Sequence, residues 1–136
     1  MTNLLATSKQ LAHLIEERAT AMSVPITLSI VDIHGNLVLK ERMSGAPLIS
    51  LEMSERKAYT SAAIGQATKE LTAATEPGGP LFGLTFVAGG RFVAFGGGAP
   101  LLSGGKVVAG VGVSGGTTEQ DVEILESALD ALPPTL

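Results

Sequence analysis

Apolar positions recur along this chain with two periods, and the alternation between them outlines the fold. From Ser8 to Ser23, Leu11, Leu14, Ile15, Ala19 and Met22 return at helical spacing, and Pro25 ends the segment. Ile26 to Val31 then alternates, with Ile26, Leu28 and Ile30 on one face and Thr27 and Ser29 on the other, as in a half-buried strand. Asp32-Ile-His-Gly-Asn36 reads as a turn, with Gly35 at positive φ, and Leu37 to Arg42 as the returning strand of a hairpin. Ser44-Gly-Ala-Pro47 breaks the sheet. The spacing predicts a helix from Leu48 to Ile64 with two apolar stripes, one of Leu48, Leu51, Ala58 and Ala62, the other of Ile49, Met53 and Ile64 with Lys57 and Thr60 among them.

After Gly65 a shorter helix is predicted from Thr68 to Thr75, stopped by Pro77-Gly-Gly-Pro80. Phe82 to Val87 and Arg91 to Phe95 read as a hairpin around Ala88-Gly-Gly90, and Lys106 to Val113 as a further strand reached through a glycine-kinked turn over Gly96–Gly105. On that last strand Val107, Ala109, Val111 and Val113 share one face. Gly110 and Gly112 share the other, which lets a helix or a ligand approach closely. Thr117 or Thr118 caps a final helix with the buried stripe Val122, Leu125, Leu129 and Leu132, ended by Pro133-Pro134. The element order is α-β-β-α-α-β-β-β-α: an α+β domain with a mostly antiparallel sheet and helices packed on it.

The 136 residues suit a single domain, 1–136. Charged residues are only 16% against 45% hydrophobic, so part of the apolar surface is expected to be buried between subunits. The net charge is −4, and Glu119, Asp121, Glu123, Glu126 and Asp130 follow Lys106 with no base among them, which argues against nucleic acid. There is no cysteine, hence no disulfide, thiolate metal site or cysteine nucleophile. No basic segment followed by an apolar run opens the chain and no segment has the length of a membrane span, so a cytoplasmic protein without a membrane partner is expected.

Six motifs stand in order: Val31-Asp-Ile-His-Gly-Asn-Leu-Val38, Arg42-Met-Ser-Gly-Ala-Pro47, Lys57-Ala-Tyr-Thr60, Pro77-Gly-Gly-Pro-Leu81, Gly96-Gly-Gly-Ala-Pro-Leu101 and Gly112-Val-Ser-Gly-Gly-Thr-Thr-Glu-Gln-Asp121. Together they resemble the GlcG/HbpS-like family, also called the haem-degrading domain family. They are also similar to the C-terminal part of PduO-type corrinoid adenosyltransferases. The resemblance covers nearly the whole chain. It implies a profilin-like α/β/α sandwich with a five-stranded antiparallel sheet, assembled into a homo-oligomer, tetramer or octamer. It also implies haem as a cofactor for some members.

The residues that could carry chemistry are few. His13 lies opposite the Leu11–Ile15–Met22 stripe, as a solvated residue or as a haem iron ligand at a subunit boundary. His34, at the hairpin tip, is either an ordinary turn residue or the second choice of ligand. Lys57 either snorkels out of its stripe or presents an ammonium to a carboxylate or haem propionate, with Arg42 as its companion. Ser114-Gly115-Gly116 is a tight strand-to-helix turn whose N–H groups could also hold an anion. Glu52 and Glu55 are a solvated edge or an iron-binding pair, and Tyr59 is a packing residue or an axial phenolate. These readings fit a binder of a small anionic molecule, haem first, with haem degradation as a further step. The alternative is a non-enzymatic accessory or sensor module for a corrinoid or small-acid pathway. A third reading, an enzyme on small hydroxy- or oxo-acids using Lys57 and the Ser114 turn, lacks an acid–base pair.

Overall fold

The fold is that of a computed structural model, which describes residues 3–133. It begins with helix α1 (Leu4–Ala21), which starts earlier than its apolar stripe because Asn3 caps it, its side chain accepting from Ala6 N at 3.2 Å. Strands β1 (Thr27–Asp32) and β2 (Leu37–Arg42) form the expected hairpin, and α2 (Ile49–Ile64) follows. The chain then passes through short 3-10 turns at Thr68–Leu71, Ala73–Thr75 and Leu84–Gly90 before β3 (Gly98–Ser103), β4 (Lys106–Ser114) and α3 (Thr118–Ala131). Thr117 and Gln120 form a reciprocal capping box at the start of α3. The helix stops before Pro133; Pro134 lies outside the described residues.

The sheet has four antiparallel strands in the order β2-β1-β4-β3, not five. Phe82–Val87 and Arg91–Phe95 are not strands. Left-handed backbone at Gly83, Ala88, Gly89 and Gly90 keeps turning the chain, and among the described residues no partner strand lies beside it. Its apolar residues face outward instead: Phe82 is 62% and Phe86 81% exposed. The strand that does form, β3, occupies the stretch read as a glycine-kinked turn. Its Pro100 is tolerated because β3 is an edge strand, bonded on one side only.

The two sheet faces are built differently. On one, Leu28 and Ile30 of β1 and Val111 and Val113 of β4 form a dry core with Leu11 and Ile15 of α1 and Ile124 and Leu125 of α3. Each such side chain stabilises the fold by about 1.5–3 kcal/mol on burial. On the other face α2 lies against Thr27, Ser29, Val31, Gly110 and Gly112. Its buried side therefore runs through Ser50, Ser54, Ala58, Ser61 and Ala62; of the two stripes that spacing suggested, only the small and polar members Ala58, Ala62, Lys57 and Thr60 are buried. Leu48 and Ile49 point to solvent. Hydroxyls cross the interface in pairs, Thr27 with Ser50 at 2.7 Å and Ser29 with Ser54 at 2.8 Å, so these four buried hydroxyls are satisfied. A Cβ on Gly112 would stand 2.7 Å from Ala58 N, and one on Gly110 2.8 Å from Ser61 Oγ. The glycine face thus brings a helix onto the sheet, and α2 fills the space a flat ligand would need.

Candidate functional site

The end of β4 delivers Val113 and Ser114 beside the start of α3, and Lys57 reaches this corner from α2. Its Nζ donates to Val113 O at 2.8 Å and to Asp121 Oδ2 at 3.2 Å, with the Phe95 ring centroid 5.4 Å away. The passage depends on Gly97, where a Cβ would stand 2.6 Å from Nζ. Lys57 is 1% exposed, so it is the terminus of an internal ion pair and not a cation on a pocket rim. Burial pushes its pKa below the usual lysine range, and Asp121 opposes that shift.

The Ser114–Gly116 turn is equally committed. Gly116 N–H donates to Asp121 Oδ1 at 2.9 Å and Thr117 N–H to Gln120 Oε1 at 2.9 Å. The anion at this helix start is the chain's own carboxylate. The capping pattern at Thr117 puts Asp121 in the first turn of the helix but gives no sign that it is Lys57's partner.

His13 and His34 are both exposed. His13 Nε2 lies 3.6 Å from Glu17 Oε2, one turn along α1. His34 sits on a turn fastened by Asp32, whose Oδ1 accepts from the backbone N–H of His34 and of Asn36, each at 2.9 Å. The Asn36 hydrogen bond is the largest of the effects holding the Asp32 carboxyl below its ordinary range. Arg42 folds back on its own loop, donating through Nε and Nη2 to Ala46 O at 3.1 and 2.6 Å. Lys57 and Ser114–Gly116 are therefore brought together, whereas His13, His34 and Arg42 are not drawn into that corner.

Elsewhere, β2, the outer side of α2 and the loop ending at Arg91 border a groove of 350 Å³. Tyr59 packs there against Phe92, their ring centroids 5.5 Å apart, and carries the Arg91 guanidinium 4.0 Å over its ring. A Cβ at Gly35, next to His34, would touch the same ring at 2.9 Å. Glu55 faces Lys40 at 2.8 Å and Glu52 faces Arg56 at 3.2 Å, so the two acids act as ion-pair partners. Among the described residues no group of three or more His, Cys, Asp or Glu side chains is placed to hold a metal, and no helix is long and apolar enough to cross a membrane. The sequence reading missed this groove because it put Arg91 in a strand.

The fold and these motifs have counterparts in known proteins. The chain is 45% identical over 126 residues to an uncharacterised 15.0 kDa protein of the dhaT-dhaS intergenic region of Citrobacter freundii, covering 93% of this chain and 89% of that one. It is 42% identical over 123 residues to the corrinoid adenosyltransferase PduO of Citrobacter freundii, covering 90% of this chain but only 37% of PduO. Among solved structures, the complex of PduOC with haem superposes with a TM-score of 0.90 at 40% identity, covering 93% of this chain and 91% of that one. With residues 5–130 matching the family described as haem degrading protein HbpS-like, the chain belongs to that family.

Proposed function

We propose that this chain binds haem on an outward-facing surface completed by a second copy, with His13 as the iron ligand and His34 as the alternate. The observation that carries this reading is the 0.90 TM-score, at 40% identity, to the PduOC–haem complex. The residues present fit the group. Both imidazoles are exposed, and neutral imidazole is a good iron ligand. Glu17, 3.6 Å from His13 Nε2, is placed to orient the ring. Phe82, Phe86 and Val87 offer exposed apolar surface for a flat macrocycle. An open apolar trough of 440 Å³ beside Leu101, Leu102, Leu129 and Leu132 is a further apolar surface available to a macrocycle or to a second copy.

When bound, haem would supply a redox-active iron, the chemistry that degradation of the macrocycle requires. The chain's part is to bind and orient it, with Arg42 as a propionate partner, while Lys57 and Ser114–Gly116 hold the corner of the sheet together. Titration with haemin tests this. A saturable Soret shift is expected, with the band moved in His13→Ala and unmoved in His34→Ala; a parent protein without a saturable shift removes the reading. Loss of Soret intensity from the haemin-loaded protein on adding peroxide tests degradation.

A second reading, an accessory module in corrinoid chemistry, is supported by the 42% identity to part of PduO. Cobalamin in place of haemin in the same titration separates the two.

A further inference from the structure

The charges around the 350 Å³ groove are not equivalent. Lys40 Nζ donates to Leu51 O at 2.6 Å and to Glu55 at 2.8 Å. Arg56 donates to Gly90 O at 2.9 Å and to Glu52 at 3.2 Å. Each of these cations is neutralised and aimed by its glutamate. Arg91 is different: among the described residues no carboxylate lies within ion-pair reach of it, and its guanidinium is laid over the Tyr59 ring. A cation–π contact occupies a face of the guanidinium and leaves the in-plane N–H donors at its edge available.

The loop is shaped to hold that arrangement. Ala88, Gly89 and Gly90 are all left-handed, at φ 56°, 68° and 80°, and Ala88 adopts a conformation that L side chains disfavour. Arg56 fastens Gly90 on one side of Arg91. On the other, Phe92 packs on Tyr59, and Val93 N–H donates to Thr60 Oγ1 at 2.9 Å. Arg91 thus has its backbone fixed on both sides and its guanidinium resting on a ring, so less ordering is needed when a ligand arrives.

We infer that this groove is a carboxylate-binding site, with Arg91 as the recognising group, for an organic acid with a flat or apolar body. Guanidinium edges pair with carboxylates through parallel N–H donors. Three cations and two glutamates line the groove and leave one net positive charge, which suits a monocarboxylate better than a phosphate dianion. Leu51 and the Tyr59 ring supply the apolar wall. The carboxylate has two possible sources, a propionate arm of a tetrapyrrole or a free small organic acid. The inference rests on the groove and not on the haem reading.

The test uses the chain's own reporter. Tyr59 is the sole tyrosine and there is no tryptophan, so emission from Tyr59 reads the groove. In one arm benzoate is titrated at constant ionic strength against chloride, followed by Tyr59 emission and by calorimetry. In the other, haemin and its dimethyl ester are compared by Soret absorbance. Both arms are run on the parent, Arg91→Ala and Arg91→Lys, with circular dichroism to show that the variants are folded. Saturable benzoate binding, weakened about tenfold or more in Arg91→Ala and partly restored in Arg91→Lys, establishes the site for free acids. Haemin binding tighter than its ester, with the preference lost in Arg91→Ala, establishes it for propionates. If neither benzoate binding nor the preference for haemin over its ester depends on Arg91, the inference is overturned. If haemin does not bind at all, the haem reading fails, and the benzoate arm alone decides this one.

Discussion

Lys57 and Asp121 stand 64 positions apart in the chain and 3.2 Å apart in the fold, with side chains 1% and 4% exposed. The other oxygen of the same carboxylate accepts from Gly116 N–H. One acid thus joins α2, the turn after β4 and α3. It also meets the backbone donor that would otherwise be open to an external anion. The corner whose glycines and serine suggested a ligand site is closed by the protein's own charges.

Replacing Lys57 with Met should destabilise the protein by about 3–5 kcal/mol, because it leaves Asp121 buried without its cation. Asp121→Asn should cost about as much, because it leaves the Lys57 ammonium buried without its anion, and an amide oxygen that still accepts from Gly116 N–H turns its N–H donors toward Lys57. Urea midpoints measured at one pH check this; a Lys57→Met midpoint equal to the parent's would show that the pair contributes nothing. Because Lys57 is buried, haemin affinity of the folded variant should stay at the parent level.

Gly112→Ala should be as harmful as larger changes usually are. The new methyl would be forced against the Ser54 carbonyl and 2.7 Å from Ala58 N, backbone groups that cannot swing aside. Overpacking of this kind costs about 1–3 kcal/mol or more. Thermal melting of Gly112→Ala and Gly110→Ala measures it, and parent-like melting in both would mean that α2 stands farther from the sheet than the fold shows.

What could be read along the chain was what is local. The stripe Leu11–Ile15–Ala19, the alternation of β1 and the Asp32–Gly35 turn announce their elements because each depends on neighbours within a few residues. The buried side of α2 did not announce itself. Ser50 and Ser54 count as polar until Thr27 and Ser29 are known to face them. Strand β3 was hidden by Pro100, which only its edge position excuses. Phe82 and Phe86 mimic a strand's alternation while facing solvent. At the candidate sites, the exposure of His13 and the Asp32-fastened turn of His34 followed from spacing. The Lys57–Asp121 pair and the Arg91–Tyr59 contact did not, because each joins segments far apart in sequence.

Glu16 on α1 and Glu41 on β2 make stability depend on pH. Burial first, then the hydrogen bond to Glu41 and repulsion from it, raises the Glu16 pKa from 4.5 to about 7. Between those values the folded chain keeps a proton that the unfolded chain has released. Stability should therefore fall as pH rises through that window and level off above it. Glu41→Gln removes the repulsion and should flatten the decline. Urea midpoints at several pH values across the window, in parent and variant, check this; parallel slopes would show that the pair does not titrate as described.

The exposed apolar residues lead to a prediction about assembly. Phe82, Phe86 and Val87 are 62%, 81% and 53% exposed on one loop, and Leu48 and Ile49 are 78% and 63% exposed at the start of α2. A chain with only 16% charged residues has little with which to surround such surface, and surface of this kind is commonly covered by a partner. We expect a homo-oligomer, a tetramer or octamer, at micromolar concentration, with Phe86→Asp shifting it to smaller species while circular dichroism stays unchanged. Light scattering after size-exclusion chromatography measures both, and a parent protein that runs only as monomer removes the claim. A second substitution, Leu48→Asp, lies outside the apolar surface offered to the macrocycle and tests whether a second copy completes the haem site. If it does, loss of assembly in Leu48→Asp should weaken haemin binding. If one copy suffices, haemin affinity should survive that loss.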